Sequence, residues 1–77
     1  MKTVKISLNS IDKVKSFCEV AARIECDLDL MSGRYIIDAK SIMGIFSLDL
    51  SRDIDLNIHT DENIDEILDK IKPYIVE

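Results

Sequence analysis

Val4, Ile6 and Leu8 alternate with Thr3, Lys5 and Ser7, the two-residue period of a strand with one buried and one wet face. Asn9 or Ser10 can then cap a helix, and Asp12 suits the positive end of its dipole. Ile11, Val14, Phe17, Cys18, Ala21 and Ile24 follow at helical spacing, with Lys13, Lys15, Glu19 and Arg23 mostly on the other side, so the pattern predicts a helix over about residues 10–24. Cys26, Leu28 and Leu30 alternate with Asp27 and Asp29. Ser32-Gly33 supplies a turn, and Arg34-Tyr35-Ile36-Ile37-Asp38 is rich in strand formers, so this stretch reads as a hairpin. Ser41–Leu48 predicts a short helix against the helix-weakening Ile42, Gly44 and Ile45. Ile54, Leu56 and Ile58 alternate with Asp53, Asp55, Asn57 and His59, a fourth strand. Thr60-Asp61-Glu62 sets a cap and two acids before the apolar stripe Ile64, Ile67, Leu68 and Ile71, and Lys70, Lys72 and Pro73 close a last helix.

The predicted order is β-α-β-β-α-β-α. Each strand shows at most one greasy face, so an α+β fold follows, with a four-stranded antiparallel sheet covered by helices on one side and wet on the other. At 77 residues, 47% apolar and 32% charged, the chain fits one folded domain, residues 1–77. A domain of this size buries only about 60 to 65% of its unfolded surface and cannot enclose a large substrate pocket. Surface chemistry is expected.

No apolar run approaches the roughly 20 residues that span a bilayer, and the N-terminus alternates where a signal peptide would be uniformly apolar; a cytoplasmic protein is expected. Cys18 and Cys26 lie eight apart with no second pair or neighbouring histidine, so both read as reduced structural thiols. Residues 1–40 carry seven Lys/Arg against six Asp/Glu, and residues 41–77 three against nine, within a net charge of −5. That balance argues against direct nucleic-acid or anionic-membrane binding, both of which need a basic face.

The chain has no glycine-rich phosphate loop, paired histidines, Cys-x-x-Cys or Gly-x-Ser-x-Gly, and neither a metal nor a cofactor is expected. His59, the one histidine, should face solvent at the end of its strand without the pocket a general base needs. Asp27 and Asp29, like Asp53 and Asp55, share a strand face that could hold a divalent cation weakly but is better explained as solvated.

Residues 40–50 are the informative stretch. A two-turn helix on a sheet buries a stripe of about 100 degrees, yet Ile42, Met43, Ile45, Phe46 and Leu48 nearly encircle the axis. Ile45 and Leu48 suit the inward pair, leaving Ile42, Met43 and Phe46 as an outward apolar patch of the adaptable kind that docks partners. Ser41, at the start, has two readings from chemistry alone. It can cap backbone N–H groups, or it can carry a phosphate of about −1.5 to −2 charge at the favourable end of the dipole.

Lys40-Ser41-Ile42-Met43-Gly44-Ile45-Phe46-Ser47-Leu48 closely resembles the regulatory serine segment of HPr, the histidine-containing phosphocarrier family of the bacterial sugar phosphotransferase system. The element order is that of the HPr open-faced sandwich, and Asp27–Leu30 with Ser32-Gly33-Arg34 resembles its second strand and hairpin turn. The departure is at the family's Gly-Ile/Leu-His-Ala-Arg-Pro-Ala stretch, where this chain has Leu8-Asn9-Ser10-Ile11-Asp12-Lys13-Val14. The histidine position falls on Ser10, or on Asn9 with a one-residue slip, and the arginine position on Asp12. A phosphohistidine relay needs an imidazole nucleophile and benefits from a cation; this loop is degenerate in both.

The resemblance therefore implies a Crh-like member that keeps only the serine half of the family's behaviour. In that reading Ser41 is phosphorylated by an HPr kinase/phosphorylase, the chain is not an enzyme, and the phosphoserine form contacts a catabolite-control transcription factor. Ile42, Met43 and Phe46 form the docking patch with Lys40 as basic flank. The alternatives are a phosphocarrier with a non-standard acceptor, Ser10 or His59, and an unphosphorylated scaffold or dimerisation module with the same fold.

Overall fold

The alternating segments and the helical stripes sort themselves in the computed structural model, which describes residues 1–76. The elements are β1 (Lys2–Ile6), α1 (Ile11–Ala22), β2 (Leu28–Ser32), β3 (Tyr35–Asp38), α2 (Ile42–Phe46), β4 (Ile54–Ile58), α3 (Ile64–Ile71) and a 3₁₀ turn (Lys72–Tyr74). The strands form one sheet in the order β1-β4-β2-β3 with every neighbouring pair antiparallel. β1 and β2 are thus parallel with β4 between them, and β3 and β4 are parallel with β2 between them. Parallel strands need long crossovers, which α1 and α2 supply. The two crossovers run in opposite directions between oppositely pointing strands, so right-handedness puts both helices on the same face.

That face is the core. Ile6, Leu28, Leu30, Ile54, Leu56 and Ile58 from the strands meet Val14, Phe17, Ala21, Ile45, Ile67 and Ile71 from the helices. The opposite face carries Thr3, Lys5, Asp29, Met31, Ile36, Asp38, Asp55 and Asn57. There the Thr3 hydroxyl donates to Asn57 Oδ1 at 2.8 Å, and Lys5 Nζ lies 3.2 Å from Asp55 Oδ1. Gly33 in the hairpin turn has φ +59, the left-handed region that a first-position glycine serves in a two-residue turn.

Several boundaries differ from the pattern. The last helix starts at Ile64, not near Thr60, because the Thr60 hydroxyl oxygen accepts the Glu62 N–H and closes a local turn, and Asn63 follows in the left-handed region with φ 57. β2 starts at Leu28 and not at Cys26. Ile11 belongs to the predicted apolar stripe but is exposed, since α1 meets the core only from Val14 onward. Tyr74 and Ala39, which the pattern did not mark, are buried. The Tyr74 ring packs edge-on against Phe17 with centroids 5.4 Å apart, and its hydroxyl is hydrogen-bonded to Ser16.

Candidate functional site

The turn between β3 and α2 is built from backbone groups that Asp38 gathers. Its Oδ1 accepts the Lys40 N–H at 2.9 Å and its carbonyl accepts the Ser41 N–H at 3.0 Å, while Ala39 N donates to the Leu28 carbonyl at 2.9 Å. The chain reaches Ser41 in extended geometry, φ −99 and ψ 106, as a helix cap requires. Ser41 Oγ accepts the Gly44 N–H at 3.2 Å, and the Ser41 carbonyl accepts the Ile45 N–H at 3.0 Å. Ser41 is exposed, and its hydroxyl proton remains available because the oxygen acts only as acceptor in the cap.

Gly44 has a packing reason. A Cβ there would stand 3.3 Å from both Ile37 Cδ1 and Ser41 Oγ, so glycine lets α2 lie close on β3 and leaves the serine oxygen uncrowded. Ile45 and Leu48 are buried beneath α2, while Ile42, Met43 and Phe46 are 38%, 78% and 42% exposed. The serine and three large apolar side chains therefore share one outer surface. Lys40, predicted as a basic flank, is tied down: its Nζ donates to the Ile24 carbonyl at 2.6 Å. This carbonyl lies just past α1, where unpaired carbonyls and the negative dipole end attract a cation.

The stretch Asn9-Ser10-Ile11-Asp12 forms the start of α1. Ser10 is its cap, with Oγ accepting the Lys13 N–H at 3.2 Å and its carbonyl accepting the Val14 N–H at 3.1 Å. Asn9, Ser10 and Asp12 are all exposed. His59 is exposed at the end of β4, as expected, and it is paired: its Nε2 is hydrogen-bonded to Asp29 Oδ2, and its backbone N–H donates to the Asp27 carbonyl at 3.0 Å. Period-two reasoning places His59 and Asp29 on one sheet face, but only the β2–β4 register, which sets Asp29 opposite Asn57, brings His59 within reach as its diagonal neighbour. Among the described residues no group of three or more His, Cys, Asp and Glu side chains is arranged to hold a metal ion, and no helix is long and apolar enough to cross a membrane.

The sheet order and one-sided helices are those of solved phosphocarrier proteins. The structure is similar to HPr-C-His from Thermoanaerobacter tengcongensis, with 24% identity over 95% of this chain and 89% of that one and a TM-score of 0.77. It is also similar to the phosphocarrier protein HPr from Bacillus anthracis str. Ames, with 26% identity over 97% and 94% of the two chains and a TM-score of 0.72. The family profile described as "PTS HPr component phosphorylation site" matches residues 13–77, and the chain belongs to the HPr phosphocarrier family of the phosphotransferase system. The match begins just after Asn9, Ser10 and Asp12. Among curated proteins nothing matches the chain.

Proposed function

We propose that this chain is a regulatory member of the HPr family that is phosphorylated on Ser41 and acts in carbon catabolite regulation through protein contacts, not through phosphohistidine transfer. The observation that carries the reading is the shared outer surface of α2, where an exposed serine adjoins exposed Ile42, Met43 and Phe46. In the step itself an HPr kinase/phosphorylase moves the γ-phosphoryl of ATP to Ser41 Oγ. The hydroxyl proton passes to a base on the kinase, and ADP leaves. The added charge of about −1.5 to −2 lies against the first N–H groups of α2. A catabolite-control transcription factor then reads the phosphate together with the apolar patch, with Lys40 as flanking contact, in the cytoplasm.

The test is purified HPr kinase/phosphorylase with ATP, followed by peptide mapping. The expected result is one phosphate on Ser41, lost in Ser41→Ala; a kinase that labels an authentic HPr and leaves this chain unmodified overturns the reading. A second reading has one observation in its favour, the His59 imidazole oriented by the Asp29 carboxylate, the arrangement in which a carboxylate aligns a nucleophilic ring. Incubation with enzyme I and phosphoenolpyruvate decides it: an acid-labile phosphate on His59 supports a carrier with a non-standard acceptor, and none removes it.

A further inference from the structure

The two edges of the sheet differ. The outer edge of β1 is occupied by the chain's own C-terminal segment. Ser7 N donates to the Tyr74 carbonyl at 2.8 Å, Val76 N donates to the Lys5 carbonyl at 3.0 Å, and Ile75 bridges Ile6. β3, at the other end of the order, has among the described residues a strand neighbour on one side only. Ser32 and Tyr35 close the two-residue turn, so Tyr35 and Ile37 direct their backbone groups at β2, and Ile36 directs its N–H and C=O outward. Tyr35 and Ile36 are 67% and 64% exposed. A free edge bearing large apolar side chains is a template for another strand, and β3 carries no proline or lysine to blunt it.

The charges at its ends select the occupant. Set antiparallel against itself about Ile36, the segment Arg34-Tyr35-Ile36-Ile37-Asp38 places Ile36 opposite the Ile36 of a second copy. Tyr35 then lies opposite Ile37, and Arg34, the turn residue that leads into β3, lies beside Asp38 of the other copy, twice. Centring the pair on Ile37 sets Asp38 opposite Ile36 and loses both charge pairs. The Ile36 register also uses the residue whose backbone groups point outward, and it is isologous, as a two-fold dimer requires. A chain with net charge −5 repels its copies, and two compensating Arg–Asp pairs at the point of contact offset that repulsion. We propose that two copies of this chain associate through β3, antiparallel about Ile36, into one continuous eight-stranded sheet. With so few residues a side it is smaller than a standard interface, so the association is weak.

Sedimentation velocity and light scattering of the full chain over a concentration series from the micromolar to the millimolar range test the proposal. The expected result is a reversible monomer–dimer equilibrium, weakened at least tenfold by Ile36→Lys and by either Arg34→Glu or Asp38→Arg alone. An equimolar mixture of the Arg34→Glu and Asp38→Arg chains restores both charge pairs, so heterodimers form where each variant alone does not. Circular dichroism of every variant reports folding, and the mixture rescue cannot arise from misfolded chains. A chain that stays monomeric throughout the series overturns the proposal. So does a dimer indifferent to Ile36→Lys, or one lost instead on Met43→Ser, which would put the contact on α2.

Discussion

At the scale of single residues, Ser41 combines two properties: its oxygen caps α2 through the Gly44 N–H, and its hydroxyl stays on the surface. Ser41→Ala removes the cap and should cost about 1 kcal/mol, lowering the thermal midpoint by about 4 to 8 °C, whereas Ser41→Asp keeps a capping oxygen and should stay near the parent. A melting curve of each separates loss of stability from loss of phosphorylation. Gly33→Ala forces a side chain into the left-handed region and should cost about 1 kcal/mol, read from a urea titration. Partial burial pushes the Cys18 thiol up, so its folded form favours the protonated state. The resulting stability is fully present below the thiol's unfolded pKa and is lost as pH rises through the raised folded value. Cys18 should also alkylate more slowly than an exposed thiol in mildly alkaline buffer, as followed by mass spectrometry. The Ser41 cap was legible from its position before an apolar run. The Lys40–Ile24 bond was not, because nothing in the spacing of residues sixteen apart marks them as neighbours.

At the scale of elements, the C-terminal segment does more than end a helix. It covers the edge of β1 and buries Tyr74 against Phe17 of α1. Tyr74→Ala should cost about 3 to 5 kcal/mol, a large share of the roughly 4 to 12 kcal/mol that a domain of this length holds. Tyr74→Phe loses only the Ser16 hydrogen bond and should cost about 1 kcal/mol. Chemical denaturation of the two variants would show whether the ring or the hydroxyl anchors the segment. The strands were readable because alternation is a local consequence of one-sided burial. The start of α3 was not, since Thr60 and Asn63 adopt a turn that competes with the helix their composition favours. Ile11 misled for a related reason: helical spacing says which residues share a face, not how far along its length the helix meets the sheet.

At the scale of the molecule, pH dependence follows from groups held differently in the folded and unfolded chain. The Ser51 hydroxyl, followed by the Ser51 N–H, holds the Asp49 carboxyl below the usual carboxylate range. That contribution is present above the unfolded carboxylate pKa and is lost as pH falls through the depressed folded value. Asp49→Asn should therefore remove a small part of the slope of the acid limb of a stability-against-pH curve while leaving the alkaline limb, where Cys18 acts, unchanged. The same separation applies to the fold and the site. Periodicity, turn residues and the excess of apolar side chains on α2 are properties of neighbours along the chain. For that reason the sequence by itself determined the element order, the one-sided sheet and the exposure of Ile42, Met43 and Phe46. Strand order, the β2–β4 register that brings His59 within reach of Asp29, the anchoring of Lys40, and the choice of which sheet edge is covered all join residues distant in sequence. Only the tertiary structure decided them, because their energy comes from packing and hydrogen bonding that no local pattern encodes.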